Sequence, residues 1–262
     1  MSGLRTIGAA GRLSVAEFFG FWSPRSYVIV WVPRLVFQTA FFALLAQFAG
    51  GPELVRFALV GNAAYLTCQA TLTFATACMQ WELGAGTAPL LIASPADPLL
   101  VFVGRNLAFG AHGIVSGLLT LIAAAILGLP LAPSQWLAAA GILCLISLSS
   151  YGLASFLGSL VLRFTEYRNA ASSLVGFTLL AISGVNVPLS ILPDWTQAIA
   201  LSLPLAHGIL GLRGALAGAP MADVARELAT EAALGAVYLG AAFVSLRIFL
   251  DQARREGTLD FS

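Results

Sequence analysis

The sequence predicts an all-α membrane protein: six transmembrane helices with an N-terminal interfacial helix, a short cytoplasmic surface helix and an outer re-entrant helical element. Composition is the first reason. Of 262 residues, 59% are hydrophobic and 10% charged, with a mean hydropathy of +0.90, whereas soluble domains carry roughly 25% charged residues. So little polar surface cannot cover a soluble globule of this size. The second reason is the bunching of the charges, with no Asp, Glu, Lys or Arg from Asn106 to Leu162. A bilayer core needs about 20 apolar residues per helix, so this interval holds two spans. The apolar runs also lack the alternation of a barrel, which leaves helices as the way to bond the backbone in lipid.

The elements follow in order, within one membrane domain over 1–262. Residues 10–25 read as an interfacial helix, with Val15, Phe18, Phe19 and Trp22 on one face and Ser14, Glu17 and Arg25 on the other. The first two spans are expected at Tyr27 to Phe48 and Phe57 to Met79. Residues 82–94 then form a short surface helix, stopped by Pro95. The third and fourth spans share the uncharged interval, turning at Leu129-Pro130-Leu131-Ala132-Pro133, and the fifth covers Asn169 to Val187. Residues 188–220 are apolar yet cut by prolines, as expected of short helices dipping back into the membrane, where irregular backbone must be buried in protein or line a cavity. The last span is Leu228 to Leu250, followed by a polar tail from Asp251.

The positive-inside rule sets the orientation. With the N-terminus in the cytoplasm, Arg5, Arg12, Arg25, Arg105, Arg163, Arg168, Arg247, Arg254 and Arg255 lie inside, and only Arg56, Arg213 and Arg226 outside. Both termini are then cytoplasmic, in a multi-pass protein of the cell (inner or plasma) membrane. No cleaved leader is expected.

Several chemistries are excluded. All 13 basic residues are arginine, so the chain has neither the lysine of a nucleotide-binding P-loop nor that of a Schiff base. Cys68, Cys78 and Cys144 lie in apolar spans without metal-ligand spacing and read as small buried hydrophobes. The Gly113-Ile114-Val115-Ser116-Gly117 stretch beside His112 invites an intramembrane hydrolase, but neither His112 nor His207 is accompanied by an evident orienting group. Glu231, near the outer end of the last span, reads as a solvated carboxylate.

Polar residues within spans are costly and mark function or helix pairing. Asn62, Tyr65, Gln69 and Thr73 share one face of the second span, with Thr76 beyond them. With Gln38 on the first span they form either a translocation surface or a set of interhelical bonds, and both readings stay open. Gly110, Gly113 and Gly117, and Ser150, Ala154 and Gly158, read as close-packing seams.

Two spaced motifs carry a family resemblance. Glu82, Gly86, Thr87, Ser94 and Pro95 give E-x-x-x-G-T followed by S-P, between the second and third spans. Gly184, Pro188, Pro193, Trp195, Pro204, Leu205 and Arg213 give G-x-x-x-P-x-x-x-x-P-x-W, a P-L and an arginine after the fifth span. Together they resemble the permease subunits of type-2 ABC transporters. The resemblance implies an exporter permease that pairs with a second copy or a related permease and rests on cytoplasmic ATPase subunits. Its coupling helix would dock through Leu90, Leu91 and Ile92. ATP and Mg would belong to the partner ATPase, with no cofactor or metal in this chain and no nucleic-acid partner. The implied cargo is amphipathic, drug-like or lipid-linked. Leu83, Ala85 and Pro89 stand where relatives are often charged, which shifts docking toward apolar contact, and Ala206-His207 replaces a usual Thr-Tyr. The rivals are an ion-coupled secondary transporter, which needs embedded ionisable residues and repeated halves, and the intramembrane hydrolase.

Overall fold

The computed structural model describes residues 3–84, 97–161 and 167–256, and all regular structure among them is helical. α1 runs Gly3–Phe21, α2 Pro24–Gly50, α3 Pro52–Gly84, α4 Pro98–Ile126 and α5 Pro133–Leu160. α6 runs Arg168–Ile182, α7 Asp194–Ser202, α8 Ala206–Ala217 and α9 Met221–Glu256. Four of these stretches are long and apolar enough to cross a membrane: Pro24–Gly50, Leu100–Ile126, Pro133–Leu160 and Met221–Gln252. α7 and α8, bent by 89° at their junction, make a fifth if taken as one broken span.

Local chemistry sets the breaks. Gly51, at φ 76°, and Pro52 at the head of α3 turn the chain between α2 and α3 within a single residue. Between α4 and α5 the chain turns over residues 127–132, with Gly128 at φ 107° and Pro133 at the head of α5. Within α2, residues Tyr27–Trp31 form a π-turn whose last bond runs from the Val32 N–H to the Tyr27 carbonyl. Pro33 follows directly; it has no N–H to give, and its ring would crowd the preceding turn of a regular α-helix. The wider turn relieves that crowding.

α3 is the axis of the bundle. It packs against α2, α4, α5, α6 and α8, and Leu59, Ala63, Ala64, Cys68 and Leu72 on it are fully buried. It therefore carries polar groups that a lipid-facing helix could not. Thr71 Oγ1 and Ser147 Oγ lie 2.9 Å apart, and Ser147 donates to the Gly110 carbonyl at 2.8 Å, which links α3, α5 and α4. A Cβ added at Gly113 or Gly117 would overlap Thr71 or Thr67, and one at Gly158 would press on the Thr76 backbone. These glycines are the close-packing seams expected from the sequence. α5 and α9 meet through Gly152 and Gly235, with each glycine against the other helix's backbone.

α1 packs along the first half of α4. Its docked face is the small-residue stripe Thr6, Ala10 and Ser14, while Val15 and Phe19 stay exposed. Ser14 Oγ donates to the Arg105 carbonyl, and the Arg105 guanidinium meets both Glu17 oxygens at 2.7 and 2.8 Å.

Candidate functional site

After α6 the chain is cut where its prolines stand. Gly184 takes φ 78°, Pro188 precedes a 3-10 turn at Leu189–Ile191, and Pro193 precedes α7. Pro204 precedes Leu205, which caps α8 at φ 106°. A leucine at positive φ is strained, so the surroundings must hold it there. Trp195 is 69% exposed, at the start of α7.

Two charged side chains fix this bent element to the bundle. Arg213, on α8, donates through Nη1 to the Gly184 carbonyl at 2.7 Å and through Nη2 to the carbonyls of Val185 and Phe57 at 2.9 and 3.0 Å. Its guanidinium also lies over the Phe57 ring. One cation thus gathers α8, the turn after α6 and the start of α3. Next to it, Asn62 Nδ2 donates to Asn186 Oδ1 at 2.8 Å and to the Ala58 carbonyl at 2.9 Å.

Glu231, on α9, is the second anchor. Its carboxylate accepts from the Leu205 N–H at 2.9 and 3.0 Å, from the Gly208 N–H at 2.9 Å and from the Ser149 hydroxyl. Leu205 is the N-cap of α8 and has no side-chain acceptor, so a carboxylate from another helix supplies the cap. The expectation of a solvated Glu231 is corrected here: the residue is 0% exposed, because the bent element folds back over it. One turn earlier on the same face of α9, Glu227 Oε2 meets His207 Nδ1 at 2.7 Å. His207 therefore does have a carboxylate beside it, contrary to the sequence reading, but its Nε2 is also engaged, 3.2 Å from the Leu201 carbonyl.

The polar stripe of the second span forms a ladder on α3. Tyr65 donates to Gln69 Oε1 at 3.3 Å, Gln69 Nε2 to Thr73 Oγ1 at 3.3 Å, and Thr73 Oγ1 to the Gln69 carbonyl at 2.9 Å. Gln69 lies against Gly176 of α6, where an added Cβ would overlap its amide. Tyr65 and Asn62 are buried, Gln69 and Thr73 half-buried, and Gln38 is half-buried on α2. If the ladder meets cargo, Gln69→Leu should change the ranking of transported compounds by about tenfold, the scale of one or two lost polar contacts, with assembly unchanged. Competitive transport assays on several compounds check this; equal loss for all would assign Gln69 to packing alone.

At the other end, His112 sits among the rings of Phe18, Tyr27, Trp31 and Phe74, with centroids 4.8–5.5 Å away. Tyr27 Oη lies 3.1 Å from His112 Nδ1, and Trp31 Nε1 donates to Ser116 Oγ at 2.9 Å. Ser116 itself donates to the His112 carbonyl at 2.9 Å. The imidazole and the hydroxyl thus have separate partners, and no nucleophile–base pair is formed.

Of the residues expected to form the coupling helix, Glu82 belongs instead to the last turn of α3 by its backbone. Gly86, Thr87, Leu90, Leu91, Ser94 and Pro95 lie outside the described residues. The segment they occupy leads into α4, whose Arg105 is bound to Glu17 of α1. Among the described residues no group of three or more His, Cys, Asp or Glu is placed to hold a metal ion.

A family model described as an ABC-2 family transporter protein matches residues 39–244, from α2 through most of α9 and across both motif segments. No curated protein matches the chain.

Proposed function

We propose, from the premise that the chain belongs to the ABC-2 family of transporter proteins, that it is the permease subunit of an exporter driven by a separate ATPase. The observation that carries this reading is the family match over 39–244, which takes in Glu82 to Pro95 and Gly184 to Arg213. α2, α3, α4, α5, α6 and α9 serve as the six crossings, and α7 and α8 re-enter from the outer face. The contacts Tyr27–His112 and Trp31–Ser116 pair rising residue numbers on both helices, so α2 and α4 run in the same direction, as the first and third crossings must. α3 crosses despite its polar stripe because its neighbours shield it from lipid. α6 is only 15 residues long and completes its crossing with the chain up to Val187. The arginine distribution puts the N-terminus, α1 and residues 82–94 in the cytoplasm.

In this reading ATP binding closes two partner ATPases, and the segment from Glu82 to Ser94 moves with them. Its two ends are the ends of α3 and α4, so the motion enters at the axis of the bundle. The Glu17–Arg105 pair makes α1 follow α4. A pair of permeases then opens outward for an amphipathic or lipid-linked cargo, with Gln38, Asn62, Tyr65, Gln69 and Thr73 along the route. The driving energy is the difference in nucleotide affinity between the two states.

Affinity purification from native membranes should recover a Walker-motif ATPase with this chain; transport by the chain alone, driven by a proton gradient, overturns the reading. Glu82→Arg should lower transport and substrate-stimulated ATPase at least about tenfold, as expected when one charge-assisted contact is lost. Membrane insertion should be intact. Unchanged activity removes the coupling role from this segment.

A further inference from the structure

Where α1 turns into α2, a groove of about 370 Å³ opens between α1, α2 and α4. That volume is in the range of small-ligand sites, about 300–1,000 Å³. Its walls include Val15, Phe19, Trp22, Val28, Ala111 and Val115. Phe19 and Val28 are 58% and 62% exposed, so the open side is apolar as well. His112 closes the floor, with its Nε2 unpartnered among the described residues.

The lip has the opposite character. Arg25 is exposed and follows Pro24, a wall residue, while Arg12 is exposed one turn before Val15 on the same side of α1. Glu17, the acid on α1, is already held by Arg105. No described residue forms an ion pair with Arg12 or Arg25. An apolar slot with exposed arginines close in the chain to its wall residues Val15 and Pro24 complements an amphiphile with an anionic head. We infer that the groove holds an acyl chain of an anionic phospholipid, with its phosphate on Arg25 and Arg12. The inference rests on the proposed orientation only for the leaflet, which is then the inner one. Arg25 stands two residues before Tyr27, and so at the level where aromatic residues mark a membrane boundary. A lipid seated there wedges the corner between α1 and α2 and so bears on the helix that follows α4.

The test reads lipid contact and not transport, so its failure is separable from failure of the exporter reading. The full chain is reconstituted in phosphatidylcholine vesicles doped with phosphatidylglycerol brominated in the upper acyl chain, or with phosphatidylcholine brominated alike. Quenching of Trp22 is taken as the difference from Trp22→Phe. Brominated phosphatidylglycerol should quench at lower mole fraction, by about fivefold for each arginine engaged. Arg12→Gln with Arg25→Gln should abolish that preference. Ala111→Phe, at an exposed wall position, should fill the slot and cut quenching by both lipids at least threefold. Equal quenching by the two lipids, unaltered in the double variant, overturns the inference. Unchanged quenching in Ala111→Phe with loss of self-association gives the groove to a second copy of the chain and also overturns it.

Discussion

Glu231→Leu is expected to release the bent α7–α8 element from the bundle. The carboxylate is fully buried and serves the N–H groups of Leu205 and Gly208 and the hydroxyl of Ser149. Leucine fills similar space but leaves three buried donors, of which only Ser149 has another acceptor, the Ile146 carbonyl. Each unsatisfied donor costs about 1–3 kcal/mol, so the loss is about 3 kcal/mol or more, and the strained Leu205 loses what holds it at positive φ. Glu231→Gln separates the cap from mere polarity. Its oxygen can accept from both N–H groups if its amide nitrogen faces Ser149, whose hydroxyl then accepts while donating to Ile146. Thermal unfolding in detergent should show Glu231→Leu lower by about 6–12 °C, the shift that about 3 kcal/mol gives a chain of this size. Glu231→Gln should stay within a few degrees of the parent. Equal shifts for the two variants would mean that the carboxylate is not the cap of α8.

The helical class and several of the breaks were legible because they depend on local chemistry, whereas the break between Phe21 and Pro24 was not read from the sequence. Charge-free runs mark apolar helices, and the prolines at 188, 193 and 204 mark turns. The close-packing glycines of α4 and α5 were legible for the same reason. What was not legible depends on contacts between elements far apart in the chain. Glu231 looks solvated from its position in the last span, and only the return of α8 over it makes it a cap. The spacing of Glu227 and Glu231, one helical turn apart opposite Pro204 to His207, was the available hint. Glu17 and Arg105 are 88 residues apart, and only the docking of α1 on α4 pairs them. The polar face expected of Ser14, Glu17 and Arg25 is not the docked stripe: Ser14 turns toward α4 together with Thr6 and Ala10, because small residues let two helices approach closely. The hydropathy of α3 was lowered by the same polar residues that signal a shielded helix, so its central place was implied by the stripe but not by its apolar content.

Arg213 and Gly61 test the other anchor from its two sides. The guanidinium serves three carbonyls in two separate stretches of chain, and its planar fork does so with fixed geometry. Lysine at 213 has a single ammonium that cannot reach all three at once, so Arg213→Lys should keep part of the anchor and Arg213→Leu none. Hydrogen bonds from a charged donor are worth about 1.5–3 kcal/mol each, so Arg213→Leu should cost at least about 3 kcal/mol even with partial relaxation. Gly61 approaches the same place from α3. A Cβ there would overlap the Val185 carbonyl oxygen and lie 2.9 Å from Arg213 Nη2. The Val185 obstacle is backbone, and Arg213 Nη2, though the end of a side chain, is held by two carbonyls, so Gly61→Ala must push the turn after α6 away from α3 and break the same bonds. The two lesions share partners, and the double variant should therefore be much less destabilised than the sum of the singles, with a coupling of about 0.5–3 kcal/mol. Thermal unfolding of the four proteins in the cycle measures that coupling. Strict additivity would show that Arg213 and the Gly61 contact act independently, and the turn after α6 would then not be the joint through which the bent α7–α8 element is fixed to the axis of the bundle.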